Sequence, residues 1–497
     1  MSTRKIGYFL AISGVVIFLV SSAAGYLGMG DRRMGSSQLL GMEIGIVALL
    51  IGSSLIFLYP DRQIDLWSNV HSGVTRLLNL PVSAWVITGF LIVYIVFFLS
   101  PVFFNSERSM WYFNNYLPDR RPIGLDSRAV MDYIQTWLLS NQSPYADGFI
   151  AYPPLALVLF SPMLLIGYPA YYYFITFASL LFHVASTLLL PLFSNRGRNN
   201  SLLLFLFALS LFSYGFQFEL ERGQSNIIAF SLSLIALYLY HSNANYHLPA
   251  YFLFTLGVQM KIYPIILIVM FIKNWRDWKG NLKRIAGILM LNFALLFILG
   301  FKMFVDFLNA VRGQQLYEGS WNGNHSLKGF VHHLALDGFR LFEPGTLTIF
   351  KQYQGLIEIL FLVIIGICFF SVLVSSYSQN ESGPNPNLLL ICTICAMIIP
   401  SISNDYKLPI LTAPLAIALS SLSLPDRGPR KIFSILLVVI MSIAYWSTQY
   451  PFTIKPYFLT RNFPALFILL ITVTALSFVA PHKSEPALQS AGNNFNK

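Results

Sequence analysis

The chain has 497 residues, of which 56% are hydrophobic, 15% aromatic and only 11% charged, against about 25% charged in an ordinary soluble protein. With a mean hydropathy of +0.62, this is the composition of a polytopic membrane protein; it excludes a disordered chain, a disulfide-stapled secreted domain and a conventional soluble enzyme. The net charge of +11 is spread over short connections and forms no continuous basic patch, so it reads as a topology signal and not as a nucleic-acid footprint.

A bilayer core of about 30 Å takes roughly 20 apolar residues per helix. In chain order, candidate spans begin near Gly7, Gln38, Val82, Pro154, Tyr171, Ser201, Asn226, Pro249, Ile285, Tyr353, Leu388, Leu408, Ile432 and Ala465. They predict an all-α bundle of about 12–14 transmembrane helices, the Pro154 segment being the shortest. Arg4 and Lys5 precede the first span and a second follows closely, as in an uncleaved signal anchor. The expected divisions are an N-terminal two-helix segment at 1–81, which the resemblance described below marks as an extension, a membrane core at 82–424, the C-terminal helices at 425–480 and a polar tail at 481–497. Cys368, Cys392 and Cys395 all lie in apolar runs, and the CxxC among them lacks the charged neighbours of a redox or zinc pair, so packing is their reading.

Basic residues at Arg4–Lys5, between Lys273 and Arg284, and at Arg427, Arg430 and Lys431 fall on one side of a fourteen-span count, which makes that side cytoplasmic. Arg32–Arg33 and Arg196/Arg198 land on the other side and do not fit. The outer face then receives two loops, 106–150 and 304–350, of about 45 residues each. Transporters keep connections short and place polar residues within spans, whereas long loops on a rigid scaffold carry sites. The chemistry is therefore expected on the outer face.

The first loop holds four acids, Asp119, Asp126, Asp132 and Asp147. Each can serve as a general base toward a hydroxyl, or can pair with Arg120, Arg121 or Arg128. Ser143-Pro144-Tyr145 and Tyr152-Pro153-Pro154 follow, the last a proline suited to a first helical turn. Next, Glu219-Leu220-Glu221-Arg222-Gly223-Gln224-Ser225-Asn226 puts three charges and two amides between apolar runs. It reads either as a solvated turn or, after a half-spanning helix, as a polar island inside the membrane. Lys261 stands near the middle of the apolar run 249–272, where a lone ammonium costs about 2.5–3.5 kcal/mol and needs a polar cavity or an anion. A phosphate anchor is its simplest role, and Pro264 is placed to kink the helix beside it. The second loop carries Trp321-Asn322-Gly323-Asn324-His325-Ser326-Leu327, with His332 and His333 close behind. No carboxylate or Cys clusters beside these histidines, which leaves little for a metal site. The island Ser401-Ile402-Ser403-Asn404-Asp405-Tyr406-Lys407 counts to the same face as Asp126; Asp405 and Lys407 either pair with each other or share a site with it.

The ordered set Asp126, Ser143-Pro144-Tyr145, Tyr152-Pro153-Pro154, Arg222-Gly223-Gln224-Ser225-Asn226, Lys261-Ile262-Tyr263-Pro264 and Asn324-His325-Ser326-Leu327 resembles the integral-membrane GT-C glycosyltransferases of family 87, the alpha-(1,2)-mannosyltransferase-like group. The resemblance implies a GT-C-type fold and a polyprenyl-phosphate sugar donor. The donor is used on the outer face of a cytoplasmic membrane, bacterial in the first instance, and the acceptor is a lipid or glycan. It gives Asp126 the role of base and Lys261 that of donor-phosphate contact. Arg222, Gln224, Asn226, Tyr145, Tyr152, Asn324, Ser326, Asp405 and Lys407 are the residues expected to line the substrates. Better-known members carry a Trp and His pair where this chain has Asn404-Asp405-Tyr406-Lys407, so a catalytic His there is not carried over. No cofactor is implied; a divalent metal is left open, although the first loop has no DxD pair. The expected activity is an inverting transfer of a hexose, mannose first, with a membrane transporter and an envelope polysaccharide polymerase as the alternatives.

Overall fold

An apolar run in lipid must satisfy its amides within itself, which leaves the helix as the available element for an open chain. The computed structural model describes residues 123–479, except for 149, 194–199, 212, 317–322, 339–341, 380–383, 423–427 and 450–461, together with isolated positions before residue 50. Nearly all of the expected extension 1–81, the span from Val82, the loop stretch 106–122 and the tail 481–497 lie outside the described residues. Within them the chain is helical, and no strand is present.

The first loop departs from expectation by containing a helix. Helix α1, Leu125–Ser140, starts after Gly124 and ends at Asn141, both left-handed at φ 72° and 55°. Its buried residues Val130, Ile134 and Trp137 recur at helical spacing, so this stretch is amphipathic and packs down onto the bundle. Helix α2, Pro154–Phe160, opens on the proline expected at a first turn and tightens into a 3₁₀ turn. Helix α3, Ala170–Val184, continues through a π-type turn to complete a span of Ala170–Leu189.

Helices α4, Asn200–Leu211, and α5, Tyr214–Arg222, meet at a bend of 50°. Ser213 caps α5 by accepting from the Phe216 amide at 3.2 Å. Helix α6, Asn226–Ser242, and α7, His247–Met260, pack as a pair. The run expected to span from Pro249 is not one helix. It breaks at Lys261, whose backbone is extended (φ −149°, ψ 128°), and resumes as a 3₁₀ run, Tyr263–Phe271. A proline at 264 clashes with the carbonyl four residues back, at Met260, so the α-helix has to end there.

Helices α8, Trp278–Leu295, α9, Phe301–Leu316, α10, Leu327–Leu336, and α11, Pro344–Gln352, show that the second expected loop is largely helical as well. Helix α12, Gln354–Gln379, turns an apolar face outward through Leu356, Val363 and Phe370. By contrast, every residue of α13, Pro386–Ile398, is buried. A 3₁₀ turn, Asp405–Leu411, leads into α14, Thr412–Ser421, and α15, Pro429–Gln449, and α16, Asn462–Val479, complete the described chain.

Among the described residues four helices are long and apolar enough to cross a bilayer, and the bent α4–α5 pair makes a fifth if it is counted as one span. The other expected spans that fall within the described residues are short or broken in the middle, because hydropathy counts apolar residues while continuity depends on where residues such as Pro264 and Pro409 fall.

Candidate functional site

Two glycines bring the first loop onto the end of α5. Gly124 donates its amide to the Glu221 carbonyl at 2.6 Å. Gly223 ends α5 at φ 64°, and a Cβ on it would lie 2.7 Å from Ser127 Oγ. This close approach sets Asp126, in the first turn of α1, beside Arg222 and Gln224. Gln224 Nε2 donates to Asp126 Oδ2 at 2.6 Å, and Arg222 Nη1 lies 3.8 Å from the other carboxylate oxygen. Arg222 also pairs through Nε with Glu221 at 3.0 Å and lies over the Phe218 ring.

The far end of the Gln224 amide faces a cation. Its Oε1 accepts from Lys261 Nζ at 2.9 Å and from the Tyr152 hydroxyl at 3.1 Å. Lys261 Nζ in turn donates to the Tyr152 oxygen at 2.7 Å and stands 4.0 Å from that ring's centroid. The amide has one chemically consistent orientation, since a carboxylate only accepts and an ammonium only donates. Asp126 and Lys261 are thus joined through one side chain. The Asp126 side chain keeps 23% exposure while that of Arg222 keeps 5%, so the carboxylate is more open than the guanidinium beside it. Of the other three acids, Asp119 lies outside the described residues, Asp132 is exposed on α1, and Asp147 bonds to the Tyr133 hydroxyl.

Around this centre stand the supports. The Tyr145 hydroxyl donates to the Tyr152 carbonyl at 2.8 Å, and its ring packs edge-on against Phe307. Burial, with the Asp306 charge nearby, pushes the Tyr145 phenol well above its ordinary value. Asn226 opens α6, donating to Glu219 Oε2 at 2.9 Å and accepting from the Tyr263 hydroxyl at 2.9 Å on its carbonyl. Lys407 Nζ lies 5.4 Å from the Tyr263 ring centroid, donates to the Ile402 carbonyl, and is within electrostatic reach of Lys261.

Asn324, Ser326 and Asp405 are joined to one another and to the segment before α14. They form a latch between the start of α10 and the segment before α14, anchored by an antiparallel bridge between Asn324 and Asn404. Asn324 Oδ1 accepts from the amides of Ser403 and Ser326 at 2.9 and 3.1 Å. Ser326 Oγ donates to the Ser401 carbonyl at 2.8 Å and caps α10 by accepting from the Gly329 amide. Asp405 Oδ1 bonds to His325 Nδ1 at 3.1 Å and to Asn462 Nδ2 at 2.9 Å, so the partner of this carboxylate is His325 and not Lys407. His325 Nε2 faces Ser403 Oγ at 3.0 Å. Burial lowers the His325 pKa, outweighing the bond to Asp405 that raises it. The latch holds Tyr406 against Phe218 of α5, at 5.6 Å between ring centroids.

Asp126, Arg222, Gln224, Tyr152 and Lys261 therefore meet directly; Tyr145 and Asn226 brace them, Lys407 flanks them, and the latch residues act from behind. Glu219 and His325 were not among the expected substrate-lining residues. Glu219 is wholly buried, and a carboxylate in a run with no soluble flank was its visible signal. No group of three or more His, Cys, Asp or Glu among the described residues is arranged to hold a metal ion.

A family model, glycosyltransferase family 87, matches residues 149–401, from just before Tyr152 to the first residue of the latch's second segment. Asp126 lies ahead of the matched stretch. No curated protein and no solved structure matches the chain.

Proposed function

The chain belongs to glycosyltransferase family 87, and on that premise we propose that it is an inverting hexosyltransferase that uses a polyprenyl-phosphate sugar, mannose first. The acceptor is a lipid or glycan on the outer face of the cytoplasmic membrane. The observation that carries this reading is the Asp126–Gln224–Lys261 connection, with bonds of 2.6 and 2.9 Å. A proton acceptor and a cation are held on the two ends of one amide, the two kinds of group that a hydroxyl acceptor and a leaving phosphate call for.

In this mechanism Asp126 takes the proton of the acceptor hydroxyl. The hydroxyl oxygen bonds to the anomeric carbon while the carbon–oxygen bond to phosphate breaks, and the electron pair leaves with polyprenyl phosphate. One displacement inverts the anomeric centre. The departing group gains negative charge, and Lys261, with Lys407 and Arg222 nearby, stabilises it in a setting where water is scarce. Because the amide fixes the Lys261 ammonium before the donor arrives, no reorganisation is needed during the reaction.

The test uses purified protein in nanodiscs with radiolabelled polyprenyl-phosphate mannose and a membrane lipid extract, beside the Asp126→Asn variant. Label passing into a new product with the wild type alone supports the reading. Label remaining on polyprenyl phosphate with mannose, glucose and arabinose donors alike overturns the proposed donor class.

A further inference from the structure

Lys261 is the first residue past the end of α7, so its place depends on what fixes the last turn of that helix. Its own amide donates to the Gly257 carbonyl at 3.1 Å, and Pro264 has no amide hydrogen with which to carry the helix on. Gly257 lets α7 sit directly on α6: a Cβ there would lie 2.6 Å from the Ala229 carbonyl and would also meet Ser233 Oγ. A second contact, with α8, is polar. Gln259 Nε2 donates to the backbone carbonyl and to the Oδ1 of Asn292, at 3.0 and 3.1 Å. Asn292 Nδ2 donates in turn to the Ile288 carbonyl at 2.9 Å and, more distantly, to Thr255 Oγ1 at 3.4 Å, one turn before Gln259. All three side chains are buried.

As a source of stability, this contact is a poor choice for an apolar bundle. Hydrogen bonds between helices in lipid add little, because separated helices find other partners. Gln259 Oε1 is buried and has no hydrogen-bond partner among the described residues, and a buried acceptor left unpaired opposes folding. Gln259→Met with Asn292→Leu would fill similar volumes without that loss. What apolar side chains do not supply is register. They pack at several neighbouring heights, whereas a side-chain amide that must meet two oxygens is satisfied at one height only, as a single buried Asn sets the register of a coiled coil.

We propose that Gln259 and Asn292 are positioning residues of the transfer site. Their amide pair fixes the height of the α7 end against α8 and thereby holds the Lys261 ammonium against Tyr152 and Gln224. The consequence for catalysis rests on the reading of Lys261 as the donor-phosphate contact; the positioning does not.

The deciding experiment compares the wild type with the double variant Gln259→Met/Asn292→Leu in nanodiscs. Thermal unfolding is followed first, and the double variant is expected to unfold at the wild-type temperature or above it. Labelling of Lys261 by an amine reagent, read by peptide mass spectrometry with no donor present, is expected to be several-fold faster once Nζ is released from its two oxygens. In transfer from polyprenyl-phosphate mannose, kcat/KM is expected to fall by about 10²-fold, the scale of a misplacement near 1 Å. The same pair of substitutions made in Lys261→Met should cause no further loss. Unchanged labelling in the folded double variant overturns the proposal. So does a double variant that unfolds early or fails to fold, which makes the pair a packing contact, and so does an equal loss on top of Lys261→Met, which means that the effect does not pass through Lys261. Faster labelling in a protein whose wild type transfers no sugar from this donor upholds the positioning and counts against the donor. Faster labelling beside transfer that Lys261→Met leaves intact upholds the positioning and removes the phosphate contact instead.

Discussion

Gln224 and Asp126 stand 98 positions apart in the chain and meet at 2.6 Å, the amide nitrogen on the carboxylate. The same amide offers its oxygen to Lys261 at 2.9 Å. An uncharged side chain therefore separates the two opposite charges that the proposed transfer uses, holding each in position without letting them neutralise one another by direct contact.

Replacing Asp126 by Asn keeps the side-chain volume and removes the proton acceptor. Transfer rate is expected to fall by about 10²–10⁴ with the protein still folded. Asp132→Asn, on the exposed face of α1, should leave the rate near wild type. Initial rates of sugar transfer for both variants check this.

Gln224→Glu puts a second carboxylate against Asp126. Like charges at hydrogen-bond distance favour the protonated form of one of them, so the acid limb of kcat/KM should move to higher pH. A pH–rate profile is the measurement, and an unmoved limb would argue that Asp126 is not the base.

Lys261→Met removes the ammonium that faces Gln224 and Tyr152. A loss of about 10²–10³ in kcat/KM is expected if it stabilises charge on the leaving phosphate. Lys261→Arg should restore only part of it, because the planar guanidinium cannot occupy the compact position of Nζ against both oxygens. Steady-state kinetics with varied donor separates the two cases.

Gly223→Ala tests the turn itself. At φ 64° with Ser127 Oγ 2.7 Å from the added Cβ, the substitution should destabilise the fold by at least about 1–2 kcal/mol. It should also reduce transfer by shifting Gln224. Thermal unfolding in detergent and the transfer assay read the two effects separately.

The latch has a pH signature. His325 titrates below its ordinary value of about 6.5 because burial disfavours its charged form. As pH falls through about 6.5 the unfolded chain binds this proton first. The stability it contributes is thus fully present above that pH and is lost below it. Thermal unfolding from pH 7.5 to 5.5 should reveal the loss in the wild type and a smaller one in His325→Gln.

Much of the site was legible. Lys261 in an apolar run, the charges at Glu219–Arg222 and the acids ahead of Tyr145 stand out because charge is rare in this chain, and Pro264 pointed to a kink where the structure has a full break beside Lys261. The mutual contacts of Asn324, Ser326 and Asp405 were not legible. Hydroxyls, amides and carboxylates of the kind that bind a sugar also satisfy backbone amides, and the bonds they make inside the protein depend on the segment opposite. The helices inside both expected loops were overlooked for a related reason, since a count of apolar residues passes over amphipathic stretches such as α1.

By itself the sequence determined the membrane setting and the helical class, because lipid leaves a charge-poor chain little other way to satisfy its amides. It also determined the set of ionisable residues from which a site could be built. Tertiary structure decided which of them meet. Asp126, Gln224 and Lys261 come from three separate segments, and their contact depends on Gly124 and Gly223 letting α1 approach the end of α5, on Glu219 clamping the turn into α6, and on α7 stopping one residue short of Lys261. Such contacts are made across space between surfaces whose shapes exist only after packing, and no local pattern in the chain encodes their distance.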